Sequence, residues 1–191
     1  MTESGWRMPD FERALPIILH FEGGKVDSLD DPGGRTAYGI IQRTYDGWRV
    51  SKGLRTRDVW LIELSEYSAI YLERFWKRGS CSALAWPLSL LHFDACVNHG
   101  TEPKSAEGKT KVNAGRLLQR ALQLPKEEID GIVGPKTIQL TTLVPLRELC
   151  CRYLLERFFR YDELVDANPR LARFYTGGWE ARLEHLYVEI T

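Results

Sequence analysis

The sequence predicts an α+β fold that is predominantly α, and two observations carry this prediction. Apolar residues recur at three- and four-residue spacing along most of the 191-residue chain, which is the pattern of amphipathic helices. Residues 23–39 depart from this pattern, because glycine, aspartate and proline there predict a turn-rich loop with a small β-hairpin. A chain of this length can bury a sizeable core without disulfides or a metal ion.

The first predicted helix ends at about Phe21, and two residues give conflicting signals for where it starts. Asp10 is a plausible N-cap, but Pro16 removes a backbone hydrogen bond from the helix interior. We therefore expect the helix either to start late, near Leu15, or to bend at Pro16. Further helices are predicted over residues 40–48, 59–77 (one or two helices), 87–100, 112–124 and 145–161, and after Pro135 and Gly178.

One segment of the chain resembles a linker. Residues 100–109 combine glycine, proline, serine and charged residues, which is typical of a connection between folded parts. We therefore predict two halves, residues 1–99 and residues 100–191, packed together as one compact unit.

The charge balance argues against several classes of partner. Twenty-six basic and twenty-six acidic residues cancel, so that no overall field attracts the chain to nucleic acid or to an anionic membrane. No basic patch interleaved with aromatic residues is present, and we expect no nucleic-acid binding. The start of the chain lacks an apolar signal core and no apolar run approaches the ~20 residues of a membrane span. We expect a chain made in the cytoplasm, without membrane insertion.

Cysteine and histidine spacing predicts no metal cofactor. The cysteines have no paired ligand spacing and the histidines have no spacing of the HExxH type. We interpret the cysteines as reduced, structural thiols. The residues concerned are Cys81, Cys96, Cys150, Cys151, His20, His92, His99 and His185.

Glu22 is the strongest candidate for chemistry. It follows an apolar helical run and precedes two glycines that can end the helix, so we expect it at a helix end with apolar neighbours that raise its pKa. A protonated acid in such a wall, facing a second acid on a polar loop, is what glycoside hydrolysis requires. The alternative is a solvent-exposed glutamate whose charge slightly opposes the helix dipole.

Eight motifs carry a family resemblance over nearly the whole chain. They are Glu22-Gly23-Gly24, Asp31-Pro32-Gly33-Gly34-x-Thr36, Tyr38-Gly39-Ile40, Ile70-Tyr71 with Phe75-Trp76, Phe93-Asp94-Ala95-Cys96-Val97-Asn98, Leu118-Gln119-Arg120-Ala121-Leu122, Asp130-Gly131-Ile132-Val133-Gly134-Pro135-Lys136-Thr137 and Gly177-Gly178-Trp179-x-x-Arg182. In this order they resemble glycoside hydrolase family 108, whose members are N-acetylmuramidases of phages and bacteria. The resemblance implies a lysozyme-like fold, a catalytic half at residues 1–99, and peptidoglycan as the substrate.

The resemblance also implies the remaining catalytic groups. Asp31 occupies the family's Asp-Pro-Gly-Gly position as the second carboxylate, although capping the following turn is an equally good interpretation. Asp30 and Asp27 lie on the same loop, and Asp30 is the alternative working acid or a substrate contact. Thr36 could orient the attacking water, or it could be an ordinary β-branched strand residue.

Several further residues are candidate substrate contacts. Tyr38 could stack on a sugar and Gln42 could bind it through its amide, whereas Tyr71 is more typical of core. Asp94 and Asn98 share one helix face and are either structural or bind the acetamido groups.

The turn at residues 130–137 resembles peptidoglycan-binding modules. The interpretation of this turn as purely structural is at least as good. Our expectation that residues 100–191 bind the wall therefore rests only on analogy with the family.

Three functions remain open at this stage. A muramidase would hydrolyse the β-1,4 bond between N-acetylmuramic acid and N-acetylglucosamine, and a lytic transglycosylase would use the muramic acid's own hydroxyl in place of water. A non-catalytic protein would only bind the wall. Since the wall lies outside the cytoplasm, we expect a holin or another export partner, and we expect the chain to be a monomer.

Overall fold

The computed structural model describes residues 8–22, 25–26, 35–104, 108–174 and 178–190. These residues are mostly helical, with one small antiparallel sheet, and the predicted fold class is confirmed. The helices are α1 (Met8–Phe21), α2 (Gln42–Ser51), α3 (Leu64–Tyr71), α4 (Leu88–His99), α5 (Ala114–Ala121), α6 (Pro135–Thr141), α7 (Leu146–Ala167), α8 (Ala172–Phe174) and α9 (Glu180–Val188). The strands are β1 (Lys25–Val26), β2 (Thr36–Ala37) and β3 (Ile40–Ile41). None of the described helices is both long and apolar enough to cross a bilayer.

The chain divides into two compact units that differ from the predicted halves. The sheet unit is Glu12–Arg74, and the helical unit comprises the described residues on either side of it. Residues 75–99 therefore belong to the helical unit in this division, although the predicted boundary lies near residue 100. The assignment of separate roles to residues 1–99 and 100–191 stays a prediction.

In the sheet unit, a three-stranded antiparallel sheet follows α1. The strand order is β1-β2-β3, and Thr36 of β2 pairs with Ile41 of β3. The two-residue turn between β2 and β3 is Tyr38-Gly39, and both residues have positive φ, at 50° and 72°. Positive φ at both central positions is the requirement of the hairpin turn that matches the twist of the strands. The predicted hairpin is confirmed, with β1 as an additional strand.

The start of α1 corrects one sequence expectation. The helix is already formed at Met8, so that the predicted late start near Leu15 is wrong and Asp10 lies inside the first turn rather than at the N-cap. Pro16 lies within the helix and is exposed. Buried Phe11, Ala14 and Ile18 follow one helix face, and their burial favours the helix despite the hydrogen bond lost at the proline.

A partly buried ion cluster fixes α2 to α3 within the sheet unit. The Tyr45 hydroxyl donates a 2.6 Å hydrogen bond to Glu66 Oε2, and the guanidinium groups of Arg49 and Arg57 both pair with the same carboxylate. Burial would raise the pKa of Glu66, but these hydrogen bonds and charges outweigh it and hold the pKa below its ordinary value. Glu66 therefore stays ionised and holds α3 against α2. Tyr71 is the last residue of α3.

The helical unit is built around α4. All residues from Leu88 to Cys96 are buried, so this helix is covered on every side, and α5 and α7 pack against it. Phe93 lies in an aromatic cluster with Trp76 and Phe11, at centroid distances of 5.2 and 5.7 Å. The helix α7 runs six residues beyond the predicted end at Tyr161.

Candidate active site

Glu22 follows the last residue of α1, as the sequence predicts. Its backbone N–H donates a 3.3 Å hydrogen bond to the Leu19 carbonyl, and its side chain is half-buried. The residues after it, Gly23 and Gly24, lie outside the described residues. The acid is therefore placed by the end of a helix, and part of its surface is exposed.

The Glu22 carboxylate lies against the turn between β2 and β3. A Cβ atom on Gly39 would stand 2.6 Å from Glu22 Oε2 and 3.4 Å from Glu22 Cβ. Gly39 also has a φ of +72°, a conformation that side chains with a Cβ rarely adopt. Only glycine lets the turn approach the acid this closely without strain.

Tyr71 supports the same turn from α3. It is almost fully buried, and its hydroxyl donates a 2.9 Å hydrogen bond to the Tyr38 carbonyl. The same Cβ position on Gly39 lies 3.0 Å from the Tyr71 hydroxyl oxygen, so the carboxylate and the hydroxyl both face this glycine. We call Glu22, Gly39 and Tyr71 the acid cluster. Tyr71 belongs to the core, as its helical spacing favours, and reaches the cluster through its hydroxyl.

The predicted sugar platform, Tyr38, lies in the turn of the hairpin. Its ring is half-buried and packs at a tilt against Tyr67, with centroids 5.0 Å apart. Tyr67 escaped the sequence analysis because nothing in its spacing on α3 distinguishes it from a core residue. The role of Tyr38 in stacking on a sugar stays a prediction.

The candidates for the second catalytic group do not belong to the described residues. Asp27, Asp30 and Asp31 fall within residues 27–34, which lie outside them. Thr36 is described: it is half-buried in β2, paired with β1 on one side and with β3 on the other. The predicted water-orienting hydroxyl is thus in the hairpin whose turn contacts Glu22.

Gln42 has a structural role that the sequence analysis did not foresee. Its amide nitrogen donates to Asp46 Oδ1 at 2.9 Å and to the Arg57 carbonyl at 2.8 Å, and its amide oxygen accepts from the Val59 N–H at 2.8 Å. Both amide hydrogens are therefore used, one within α2 and one to the Arg57 carbonyl, while the amide oxygen links α2 to Val59. A sugar could bind this amide nitrogen only by displacing one of these bonds.

Asp94 and Asn98 belong to a buried network in the helical unit. Asp94 has no exposed surface, and Arg157 of α7 and Arg182 of α9 both pair with its carboxylate. Burial would raise the pKa of Asp94, but the two guanidinium charges outweigh it and hold the pKa below its ordinary value. Asn98 donates to the Asp94 carbonyl at 2.9 Å. These bonds favour the structural interpretation of the pair over contact with acetamido groups.

The turn after α5 is held by side chains of its own unit. Asp130 Oδ1 accepts from Gln119 at 2.7 Å and from the Ile132 N–H at 2.8 Å, and Gly131 donates to Gln119 Oε1 at 2.7 Å. A Cβ on Gly115 would stand 2.2 Å from the Gly131 carbonyl oxygen, which explains the glycine in α5. The structural interpretation of this turn is favoured, and a role in wall binding stays a prediction.

The fold and the acid cluster together define a class of protein. A mostly helical α+β fold that sets a half-buried glutamate at a helix end against a small antiparallel sheet is the layout of lysozyme-like proteins. Residues 15–100 match the family model of glycosyl hydrolase 108, and residues 113–184 match that of a predicted peptidoglycan domain. The chain thus carries a glycosyl hydrolase 108 domain followed by a predicted peptidoglycan domain. The glycosyl hydrolase 108 domain implies peptidoglycan hydrolase activity.

A solved structure supports the same fold. The chain is similar to SagA of Brucella abortus, with a TM-score of 0.71 and 22% sequence identity, over 95% of this chain and 94% of that one. At this identity the likeness shows the fold alone. No curated protein matches the chain.

Proposed function

We propose that the chain is an N-acetylmuramidase that hydrolyses the β-1,4 bond between N-acetylmuramic acid and N-acetylglucosamine. The observation that carries the proposal is the acid cluster, in which a half-buried carboxylate at a helix end lies against a glycine turn. The glycosyl hydrolase 108 match supports a glycosidase, and the predicted peptidoglycan domain supports peptidoglycan as the substrate.

In the proposed reaction Glu22 is the general acid. Its carboxyl proton passes to the glycosidic oxygen as the bond from that oxygen to the anomeric carbon breaks. A water molecule adds its oxygen to the anomeric carbon and gives up a proton, so that the product ends in a reducing sugar. A carboxylate on the far side of the sugar, for which we propose Asp31, would assist the water or the developing positive charge, and Thr36 would orient the water.

The masses of the released fragments test this proposal. Hydrolysis adds one water for each bond cleaved, so we expect reducing ends in fragments released from purified sacculi. Fragments with anhydro ends, which lack that water, would instead indicate a lytic transglycosylase and would overturn the hydrolase assignment. Sacculi incubated without protein give the background of both kinds of end.

A set of variants assigns the second catalytic group. We expect Asp31→Asn to slow the clearing of a sacculus suspension more than Asp30→Asn does, because only Asp31 is proposed to act on the reacting atoms. Thr36→Ala should have a smaller effect than Asp31→Asn, since water can still enter the site without the hydroxyl. Clearing that is slowed by Asp30→Asn but not by Asp31→Asn would transfer the role to Asp30.

The proposal also implies an export step. The wall lies outside the cytoplasm, where we propose the chain is made, and a holin or another partner would let it pass. Expressing the chain inside cells with and without permeabilisation of the inner membrane tests this: lysis only after permeabilisation is expected, and lysis without it would contradict the proposal.

A further inference from the structure

Three buried side chains with soft or nitrogen ligand atoms converge in the helical unit. His92 and Cys96 lie one turn apart on α4, and Cys81 comes from the short 3₁₀ turn Cys81–Ala83. One ligand atom from each of the three lies within 4.8 Å of the others, and the exposed fraction of each residue is 1% or less. We call these residues the thiol–imidazole cluster. It lies in a different compact unit from the acid cluster.

The hydrogen bonds of His92 leave one ring nitrogen able to act as a ligand. Nδ1 lies 2.7 Å from the Tyr153 hydroxyl, and that hydroxyl lies 3.1 Å from the Ala114 carbonyl oxygen. Since the carbonyl can only accept, the tyrosine donates to it and accepts from His92 Nδ1–H. Nε2 then carries the lone pair. A histidine whose second nitrogen is fixed by such a bond is the arrangement found around protein metal sites.

Gly79 shows that the backbone is shaped around the two sulfur atoms. A Cβ on this residue would stand 2.5 Å from Cys96 Sγ and 3.1 Å from Cys81 Sγ. Any larger residue would push the chain away from the thiols or separate them. The glycine therefore allows the Cys81 turn to approach α4 closely enough for both sulfur atoms to contact the same bound ion.

A pocket of the helical unit borders two residues of the cluster. Its volume is about 360 Å³, and His92 and Cys96 line it together with Arg78 and Glu102. The side chains of Arg78 and Glu102 are 60% and 63% exposed, so the pocket reaches the surface of the unit. The pocket is large enough to hold an ion and a water molecule, and side chains beside the cluster must move for the ion to reach it, because the exposed fractions of His92 and Cys96 are 1% or less.

We propose that Cys81, His92 and Cys96 bind one Zn²⁺ ion, with a water molecule from the pocket as the fourth ligand. Two thiolates and an imidazole are the ligands that zinc prefers, and tetrahedral coordination brings them to about 3.5–3.8 Å from one another. The three ligand atoms lie within 4.8 Å of one another without the ion, so displacements of about an ångström bring them to the distances of tetrahedral coordination. Both thiol protons leave to solvent, and the zinc dithiolate that forms has no net charge, which suits its burial.

Metal titration of the full chain tests the proposal. The reduced protein, freed of metal by a chelator, is titrated with Zn²⁺ and followed by native mass spectrometry, and with Co²⁺ and followed by absorption. We expect one ion per chain, a thiolate-to-cobalt charge-transfer band and a higher melting temperature with zinc, since the ion binds only the folded chain. Absence of a bound ion and of the band would overturn the proposal.

Matched variants separate this site from general thiol binding. Cys96→Ser and Cys81→Ser should each weaken zinc binding by about tenfold or more, whereas Cys150→Ser should leave it unchanged. Cys150 is a suitable control because it is also buried and free but lies outside the cluster. Equal affinity in Cys96→Ser and Cys150→Ser would overturn the proposal. If a variant fails to fold, the wild-type chain still tests the proposal. A Cys81–Cys96 disulfide that forms readily, together with no zinc uptake by the reduced chain, would also overturn the proposal.

Discussion

The position of Glu22 depends on a few individual residues of the sheet unit. The end of α1 places its backbone, and the absence of a side chain at Gly39 leaves room for its carboxylate. The Tyr71 hydroxyl holds the Tyr38 carbonyl and so fixes the turn that the carboxylate contacts. A precise position matters, because the proton donor must be within hydrogen-bond reach of the glycosidic oxygen.

Adding a methyl group at Gly39 tests the acid cluster. In Gly39→Ala the new Cβ would stand 2.6 Å from Glu22 Oε2, so the carboxylate must move. We expect the rate of wall clearing to fall by about a hundredfold, as displacements of about an ångström do in catalytic sites. The measurement is the initial rate of clearing of a sacculus suspension.

Gly53→Ala is the matched control for this variant. Gly53 has nearly the same φ, +71°, but nothing lies within 4 Å of the position of its Cβ. Both variants therefore carry similar backbone strain, of about 1–2 kcal/mol, and only Gly39→Ala disturbs the carboxylate. Equal clearing rates in the two variants would show that the contact with Glu22 does not matter.

The sequence predicts some residues of the site and misses others for a physical reason. Glu22 could be predicted because its signals are local: an apolar helix before it and two glycines after it. The contact of Gly39 with Glu22 could not, because it depends on how the hairpin folds back on α1. The same limit applies to Cys81, which meets His92 and Cys96 only in the folded chain, so that ligand spacing along the sequence gave no signal.

Among the elements, α4 is tied to α7 and α9 by a single carboxylate. Asp94 accepts charge-assisted hydrogen bonds from Arg157 and Arg182, and neither Asp94 nor Arg157 has exposed side-chain surface. Helical spacing predicted that Asp94 and Asn98 share a face, but it could not name the arginines, which lie more than sixty residues away. Removing the negative charge leaves buried guanidinium groups without their counter-charge.

Asp94→Asn should therefore destabilise the chain strongly. We expect a loss of about 3–5 kcal/mol in the free energy of unfolding, measured by urea denaturation, because a buried ion pair loses one partner. Glu148→Gln is the control, since Glu148 forms an exposed i,i+4 pair with Arg152 on α7. We expect it to change little. Equal effects of the two substitutions would mean that the Asp94 network does not hold these helices together.

At the scale of the whole molecule, two divisions of the chain coexist. The family matches divide it between residues 100 and 113, whereas compactness places residues 75–99 with the C-terminal helices. The central helix α4 explains the difference, because its residues belong to the glycosyl hydrolase 108 match while α5 and α7 pack against it. A sequence boundary drawn at the linker-like residues 100–109 cannot anticipate such packing.

Buried His99 makes the stability of the molecule depend on pH. Burial, reinforced by the charge of Arg157, lowers the pKa of His99 to about 3, and its Nε2 has no hydrogen-bond partner among the described residues. The unfolded chain binds a proton here below about pH 6.5, while the folded chain does not. Stability should therefore fall as the pH drops from about 6.5 towards 3, by up to about 1.4 kcal/mol per pH unit.

The variant His99→Phe should remove this part of the pH dependence. Phenylalanine keeps an aromatic ring beside Tyr161, whose ring centroid lies 5.3 Å from that of His99, but it cannot take up a proton. Urea unfolding at pH 7 and pH 4.5 measures the difference, and His20→Gln serves as the control because His20 is exposed. A fall in stability that is identical in His99→Phe and wild type would contradict the assignment.

The clearing of purified sacculi by Glu22→Gln tests the central claim most directly. The amide keeps the shape of the side chain but cannot donate the carboxyl proton, so the account predicts clearing slower by about a hundredfold or more, with sacculus binding unchanged. The control Glu12→Gln, at an exposed position on α1, should clear like the wild type. Clearing by Glu22→Gln at the wild-type rate would contradict the role of Glu22 as the proton donor.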